Sequence, residues 1–425
     1  MNDEHFFSEL PASGQRLLGH LAHLPAPFDG STADAAAGTA FSPLDTDRLI
    51  NELTLQGALE VVGVDPERGR LYTILTDAAR THDPAAAGRV VARYLDYTVA
   101  CAHAASTVLT PHRTGLDYTA RHGSVPPFDP EGSTDRATAW LLATLPALSA
   151  ALDAAEHHGE HQAGTNLVYC YFPALHRTRP RAEGAAVFRR GLALAEAWGN
   201  PQAILSMHAT LATFLRNVPG GTDEAICHNT IAMELATAAG DHRAAIRHRR
   251  SIAACHNAAE NHEAAVKALD ELLPQYDLTT PEDRRDHMLA LILLGSSHSS
   301  LGNYPVAIRH LTQCLDTHET LLRDEDPLNQ GRARAYLGQA YGLNGQYTAS
   351  LVELDRAGLL FRDLGVPLWI AHTLEMLGSA AGRAGHTDAE QDYLTRAHAA
   401  YGRLGALADM ERVAPHLTER RHDAS

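Results

Sequence analysis

Arg243, Arg247 and Arg250 are the residues of this chain best spaced for chemistry. Their i, i+4, i+7 separation places three guanidinium groups on one face of a helix. The planar fork of arginine matches a carboxylate or a phosphate. The island stands out because the 425-residue chain carries a formal charge of −16 and a single lysine, Lys267. Groups suited to covalent or metal chemistry are set less favourably. His157 and His161 have the i, i+4 spacing that one metal ion could bridge, but Gly159 lies between them and no second cluster offers a third ligand. Cys255 adjoins His256, and adjacent helical residues point about 100° apart, so nucleophile and base would diverge. No G-x-S-x-G elbow and no protease-like cysteine context occurs. A phosphate cradle needs G-x-x-x-x-G-K-[ST], and the one lysine lies instead within Ala265-Val266-Lys267-Ala268-Leu269. The expectation is a chain with no catalytic residue, no metal and no cofactor.

Composition narrows the class. The chain is 45% hydrophobic with 32 Gly and 21 Pro, as expected of a globular protein of two or three domains. Abundant alanine with only 6% aromatic residues favours closely packed helices. The acidic balance argues against general affinity for nucleic acid. Five scattered cysteines, with no C-x-x-C pair, read as small buried residues of a reducing compartment. Residues Met1 to Leu10 carry Asp3, Glu4 and Glu9 rather than a cationic stretch followed by an apolar one, and no apolar run reaches membrane-spanning length. The expected location is the cytoplasm, with no membrane partner.

The elements that would position these residues announce themselves by period. Leu294-Gly295, Leu337-Gly338 and Leu377-Gly378 recur at intervals of 43 and 40 residues. Each is followed by a turn mark: Gly302-Asn303-Tyr304, Gly345-Gln346-Tyr347 and Gly385-His386-Thr387. Small residues (Ala265, Ala307, Ser350) and then leucines (Leu269, Leu311, Leu354, Leu394) follow in a second apolar run. Glycines at 199, 240, 365 and 405 read as helix C-caps. A period of this length means helix–turn–helix units that stack into one continuous core. The register gives about six helix pairs: 165–199, 201–240, 242–278, 284–323, 329–365 and 367–405.

The front of the chain has a different texture. Leu17, Leu18, Leu21 and Leu24 form a helical stripe, a second helix is expected over Ser31–Gly38, and a third after Pro43 with Asp45 as its cap. Residues 60–64 and 70–74, joined by Asp65-Pro66-Glu67-Arg68-Gly69, read as a β-hairpin. Three helices and a hairpin is winged-helix order. Helices are expected over Ala85–Leu109 and Asp135–His157, with a Pro- and Gly-rich linker over 110–134. The expected domains are a winged-helix-like 1–84, a helical linker region 85–163, the repeat array 164–415 and a polar tail 416–425. The fold class is mostly all-α.

The Leu-Gly, Gly-x-Tyr and second-run leucine pattern resembles tetratricopeptide repeats in a long version. Together with Leu10-Pro11-Ala12-Ser13-Gly14-Gln15-Arg16-Leu17-Leu18 through Tyr72-Thr73-Ile74, it resembles the winged-helix plus repeat half of actinobacterial antibiotic regulatory proteins of the STAND/NB-ARC kind. That family places a nucleotide domain before the winged helix, and this chain begins where that domain would end. The family also tends to carry a His-Asp pair after the wing strand, where Leu75-Thr76 stands here. The resemblance implies a right-handed superhelix without the family's ATPase switch. It also implies a concave groove lined by the first helix of each unit. Aligned by their Leu-Gly pairs, the units then offer Arg247, Arg250, Asn257, Ser296, Ser299, Arg332, Gln339, His372 and Glu375 as groove candidates.

The expected function is non-enzymatic: a regulatory or scaffolding protein whose groove takes a peptide, a partner protein or a small effector, linked to transcriptional regulation or secondary metabolism. Two other classes compete with it. A catalytic or substrate-holding groove in a natural-product pathway would show as a buried carboxylate–histidine pair, for which His372 and Glu375 are the nearest candidates. A DNA reader would need a basic face on residues 45–60. That stretch offers Arg48, Asn51 and Gln56 among Asp45, Asp47, Glu52 and Glu60, and residues 1–84 hold 13 acids against 5 arginines. It reads as a packing module.

Overall fold

In the computed structural model the described residues are 3–25, 27–110, 113, 116, 118, 134–178, 181–216, 218–317 and 326–417. The chain divides into two compact units, Met1–Val218 and Pro219–Ser425. Most of the linker expected over 110–134 and of the tail expected over 416–425 lies outside the described residues.

The first unit opens with helices α1 (Asp3–Glu9) and α2 (Ala12–Leu21), strand β1 (Phe28–Asp29), and helices α3 (Gly30–Ala37) and α4 (Pro43–Leu55). Strands β2 (Leu59–Asp65) and β3 (Gly69–Ile74) complete an antiparallel sheet in the order β1-β3-β2. This small three-stranded sheet fits a winged-helix-like domain. Asp65 fixes the hairpin turn, its Oδ1 accepting from the backbone N–H groups of Glu67 (2.8 Å) and Arg68 (3.0 Å). Arg68 then reaches across to Asp29 at 2.7 Å, a buried pair that ties the turn to β1. The cap of α4 differs from expectation. Ser42, not Asp45, is the N-cap, accepting from the Asp45 N–H at 3.2 Å. The reason is Pro43, which suits the first helical position and leaves the residue before it as the cap.

Beyond α5 (Ala78–His82), the long α6 (Ala87–Leu109) buries Val91, Tyr94, Leu95 and Val99 and packs on α3. The single helix expected over 135–157 is two, α7 (Thr134–Thr144) and α8 (Leu148–His157), joined by a 3₁₀ turn at Leu145–Ala147. Pro146 has no N–H to continue the helix, and its ring clashes with the preceding turn. This apolar stretch is long enough by composition to cross a membrane, but it is broken in the middle, and Trp140, Leu141, Leu148 and Leu152 are buried in the unit's own core. Helices α9 (His161–Cys170), α10 (Phe172–Thr178), α11 (Arg181–Trp198) and α12 (Pro201–Leu215) finish the unit.

The second unit is a run of antiparallel helices: α13 (Thr222–Ala238), α14 (His242–Ala258), α15 (His262–Leu272), α16 (Pro281–Ser300), α17 (Tyr304–Thr317), α18 (Pro327–Leu343), α19 (Tyr347–Asp363), α20 (Pro367–Arg383) and α21 (Thr387–Leu404), closed by α22 (Leu407–Val413). The pairs α14/α15, α16/α17, α18/α19 and α20/α21 fall in the register of the Leu-Gly spacing. Each first helix touches the first helix of the next pair (α14 to α16, α16 to α18, α18 to α20), whereas each second helix packs on the first helix that follows it. This is tetratricopeptide-like stacking.

The Leu-Gly signature has a steric cause. A methyl group at Gly338 would lie 2.7 Å from Leu354 Cγ and 3.0 Å from the Ser350 carbonyl oxygen. Gly295 meets Leu311, and Gly378 meets Leu394, in the same way. The glycine of each first helix therefore admits the fully packed leucine of the second, Leu311 and Leu354 being completely buried. At the turn that follows, Gly302, Gly345 and Gly385 have φ of 77°, 77° and 80°. In the α14/α15 pair that place is held by Glu260, with φ 60°, the one non-glycine in this conformation among the described residues.

Candidate binding face of the repeats

The first helices carry the predicted groove residues, and most of those prove to be tied to their neighbours. Arg250 on α14 donates to Asp286 on α16 at 3.0 Å, with both side chains largely buried. Arg243 on α14 lies 2.8 Å from Asp283, 3.6 Å from Glu282 and 3.2 Å from the Thr280 hydroxyl. One repeat further on, Arg285 on α16 reaches Asp326, the N-cap of α18, at 2.7 Å. Arg243–Asp283 and Arg285–Asp326 occupy equivalent places, since the arginines lie 42 residues apart and the acids 43. These arginine–carboxylate pairs thus form a ladder that joins α14 to α16 and α16 to α18.

Arg247 and Arg250, on one helix face, are differently engaged. The fork of Arg250 is committed to Asp286, and Tyr276, its hydroxyl pushed up to about 12 by burial, packs in the same cluster with Arg250 beside it. Arg247, half-buried on the same helix, has no ion pair among the described residues. Arg249, off that face, donates to Gln275 at 3.1 Å. His248 between them is buried against Arg247 and Arg250, and burial followed by those two charges lowers its pKa to about 4.

The remaining candidates divide in the same way. Asn257 Oδ1 accepts from Ser297 Oγ and from His262 Nδ1, both at 2.8 Å, so it joins α14 to α15 and α16. Ser299 is 7% exposed, and its Oγ has no partner among the described residues. Arg332 on α18 donates to Asn329 at 2.8 Å and stands 5.3 Å above the ring of Trp369 on α20, so it too bridges successive repeats. Ser296 on α16 and Gln339 on α18 are half-buried side chains without a hydrogen-bond partner among the described residues.

His372 and Glu375 come together, through a residue outside the predicted set. The fully buried Tyr401 of α21 donates its hydroxyl to Glu375 Oε2 at 2.7 Å and lies 2.7 Å from His372 Nδ1. Since the phenol proton goes to the carboxylate, the histidine contributes the proton of its own bond. Burial, then the charge of Arg412, lowers the pKa of His372 to about 4, and burial raises that of Tyr401. Arg412 of α22 closes the chain by pairing with Glu375 and with Asp409, the latter at 2.7 Å. His372 Nδ1, the Tyr401 hydroxyl and both carboxylate oxygens of Glu375 are engaged within the network. Its geometry is that of a clasp holding α22 on α20 and α21.

Elsewhere the structure separates what the sequence set side by side. His157 ends α8 and His161 begins α9, with Gly159 at φ 69° between them. Cys255 is buried and takes a weak hydrogen bond from Asn229 at 3.7 Å. The acids Asp283, Asp286 and Asp326, together with Tyr276, Trp369, Tyr401 and Arg412, were not among the predicted residues. The signal for the ladder was present, as an acid at the start of two successive first helices (Asp283 in the first turn of α16, Asp326 at the N-cap of α18) spaced at the repeat period.

No protein-family model and no curated protein matches this chain. Solved structures of similar shape do. The Rap protein complexed with Competence and Sporulation Factor is 14% identical, covering 68% of this chain and 86% of that one, with a TM-score of 0.45. NprR in complex with its cognate peptide NprX is 13% identical, covering 67% and 84%, at 0.45. A STAND protein with a tetratricopeptide repeat sensor from Pyrococcus horikoshii is 11% identical over 96% of this chain and 63% of its own length, at 0.41.

Proposed function

We propose that this is a non-enzymatic regulatory or scaffolding protein whose first-helix face binds an extended peptide, a segment of a partner protein or a small effector. One observation carries the reading. On three successive first helices the ladder leaves a half-buried polar side chain without a partner: Arg247 on α14, Ser296 on α16 and Gln339 on α18. A half-buried polar group gains most from a bond that completes it, and three in a row suit an occupant that runs along the array. Arg247 supplies the one charge, favouring a carboxylate-bearing occupant. The groove candidates that bridge repeats (Arg250, Asn257 and Arg332), and the pair that clasps α22 (His372 and Glu375), then hold the face in shape rather than contact the occupant.

The test is a photo-crosslinking side chain placed at Gln339 in the full-length protein, expressed in its native host, with the same group at Leu359 on the outer helix α19 as the control. Gln339 should capture a defined set of adducts that Leu359 does not, and Arg247→Glu should diminish them. Identical adducts from both positions would refute the reading.

A further inference from the structure

The winged-helix-like domain has a surface the repeats do not explain. Strand β2 lies at the edge of the sheet and pairs only with β3, so alternate N–H and C=O groups along its other side face outward. Its sequence, Leu59-Glu60-Val61-Val62-Gly63-Val64-Asp65, exposes Val62 (51%) and Val64 (75%). Leu55, at the end of the helix that leads into it, is 89% exposed. Edge strands are normally blunted by lysine or proline. Here neither is present, and what blunts the edge is a bulge between Val61 and Gly63 with an acid at each end, Glu60 and Asp65. A bulge shortens the run available for pairing without closing it.

We propose that the free edge of β2 is a docking site for a short extended segment of a partner protein that alternates basic and apolar residues and adds as a fourth strand. Main-chain hydrogen bonds would supply the attachment, as in other strand additions. Charge decides the occupant. Glu60 on the strand and Glu52 on the helix that leads into it are exposed and have no ion pair among the described residues. Of the arginines, Arg68 is spent on Asp29 and Arg48 lies 3.5 Å from Asp45, and only the exposed Arg70, opposite Val64 on β3, sets a cation against these acids and the exposed Asp47. A second copy of this chain is the other obvious occupant. Antiparallel self-pairing about Val62 and Gly63 would set Glu60 opposite Asp65 on both sides, and like charges directly opposite repel. The same acids attract a basic strand.

The experiment uses the full-length protein with two synthetic eight-residue peptides, one alternating arginine with valine and one alternating glutamate with valine. Affinity is read by fluorescence anisotropy and location by amide hydrogen exchange. The expected result is at least tenfold tighter binding of the basic peptide, with slowed exchange confined to amides of β2. Val62→Lys combined with Val64→Lys should abolish both effects while moving the melting temperature by no more than a degree or two, since neither side chain is buried. Equal affinity for the two peptides, or slowed exchange spread over the molecule, would overturn the proposal. So would a dimer in light scattering that the double substitution dissociates, which would give the edge to a second copy.

Discussion

Replacing Gly338 by alanine should separate two effects that usually travel together. Alanine in a helix interior is favoured over glycine by about 1 kcal/mol. At Gly338 the new methyl group would sit 2.7 Å from Leu354 Cγ and 3.0 Å from the Ser350 carbonyl oxygen, and the second of these belongs to backbone that cannot swing aside. Overpacking of this kind costs about 1–3 kcal/mol, so the net change should be destabilising by roughly 0–2 kcal/mol. Gly358, on the partner helix α19, is the matched control, because its methyl would meet only Thr373 Cγ2 at 3.7 Å, an ordinary contact. Gly358→Ala should therefore stabilise by up to about 1 kcal/mol, leaving the two variants about 1–3 kcal/mol apart. Urea unfolding at constant slope measures this. A third variant makes the cause specific: Leu354→Ala alone should cost about 2–5 kcal/mol, but in the Gly338→Ala background it should cost less, because the methyl group fills part of the space it leaves. Two glycine variants of equal stability, or strictly additive costs in the double variant, would refute the argument that Leu-Gly marks the helix crossing.

Four further outcomes follow from the same geometry. Glu260→Gly should stabilise by about 1 kcal/mol, because the exposed Glu260 holds a left-handed backbone that costs a side-chain-bearing residue about 1–2 kcal/mol; a lower urea midpoint for the variant would refute it. Arg250→Ala should cost about 3 kcal/mol or more by leaving Asp286 buried and unpaired, whereas Arg247→Ala should change stability by less than about 0.5 kcal/mol; comparable losses in urea unfolding would dismiss the ladder. His248 and His372 have folded pKa values near 4 against about 6.5 unfolded, so stability is intact at pH 7 and is lost as pH falls from 6.5 towards 4, by about 2 kcal/mol for each at pH 5. His372→Gln should remove roughly half of that pH-dependent loss, and an unchanged pH profile would contradict the assignment.

The repeats were legible in the sequence because their signals are local and periodic. Leu-Gly reports a helix crossing within one unit, and the glycines at 199, 240, 365 and 405 do adopt positive φ, between 60° and 73°. Even there the reading has a limit. Gly405 looks like a neutral surface cap, with nothing within 4 Å of an added methyl, yet its φ of 65° would strain any side chain. Two errors came from competing local signals. Ser42 and Asp45 are both good caps, and only the fixed φ of Pro43 chooses between them. The apolar stripe over 135–157 continues through Pro146, so periodicity alone could not place the break. Tyr401 was missed because a tyrosine at helical spacing in a second helix looks like core; its hydroxyl acquires meaning only when α20 and α22 are brought against it.

The site was harder to read for a different reason, and it bears on how a charged face in a repeat protein should be interpreted. Three arginines at i, i+4, i+7 describe one helix, whereas the acids that engage them sit on the next repeat, about forty residues away. Whether a cation is free for a ligand depends on that second register. Here Arg243 meets Asp283 and Arg285 meets Asp326 at equivalent positions, so the same bridge is built twice. In both pairs the carboxylate is buried while the arginine stays partly exposed, so desolvation of the acid and solvent around the cation leave little net stability. What they do fix is alignment: sliding one first helix by a turn past the next would leave a buried carboxylate without its cation. Conserving that alignment places Arg247, Ser296 and Gln339 in sequence along the face. An occupant that reads these three groups depends on Arg250 and Asp286 without touching either. Arg250→Ala should therefore weaken any partner captured at Gln339, and restoring an ion pair in reverse, Arg250→Asp with Asp286→Arg, should recover it; failure of the reversed pair to recover binding, at wild-type stability, would make Arg250 a direct contact after all.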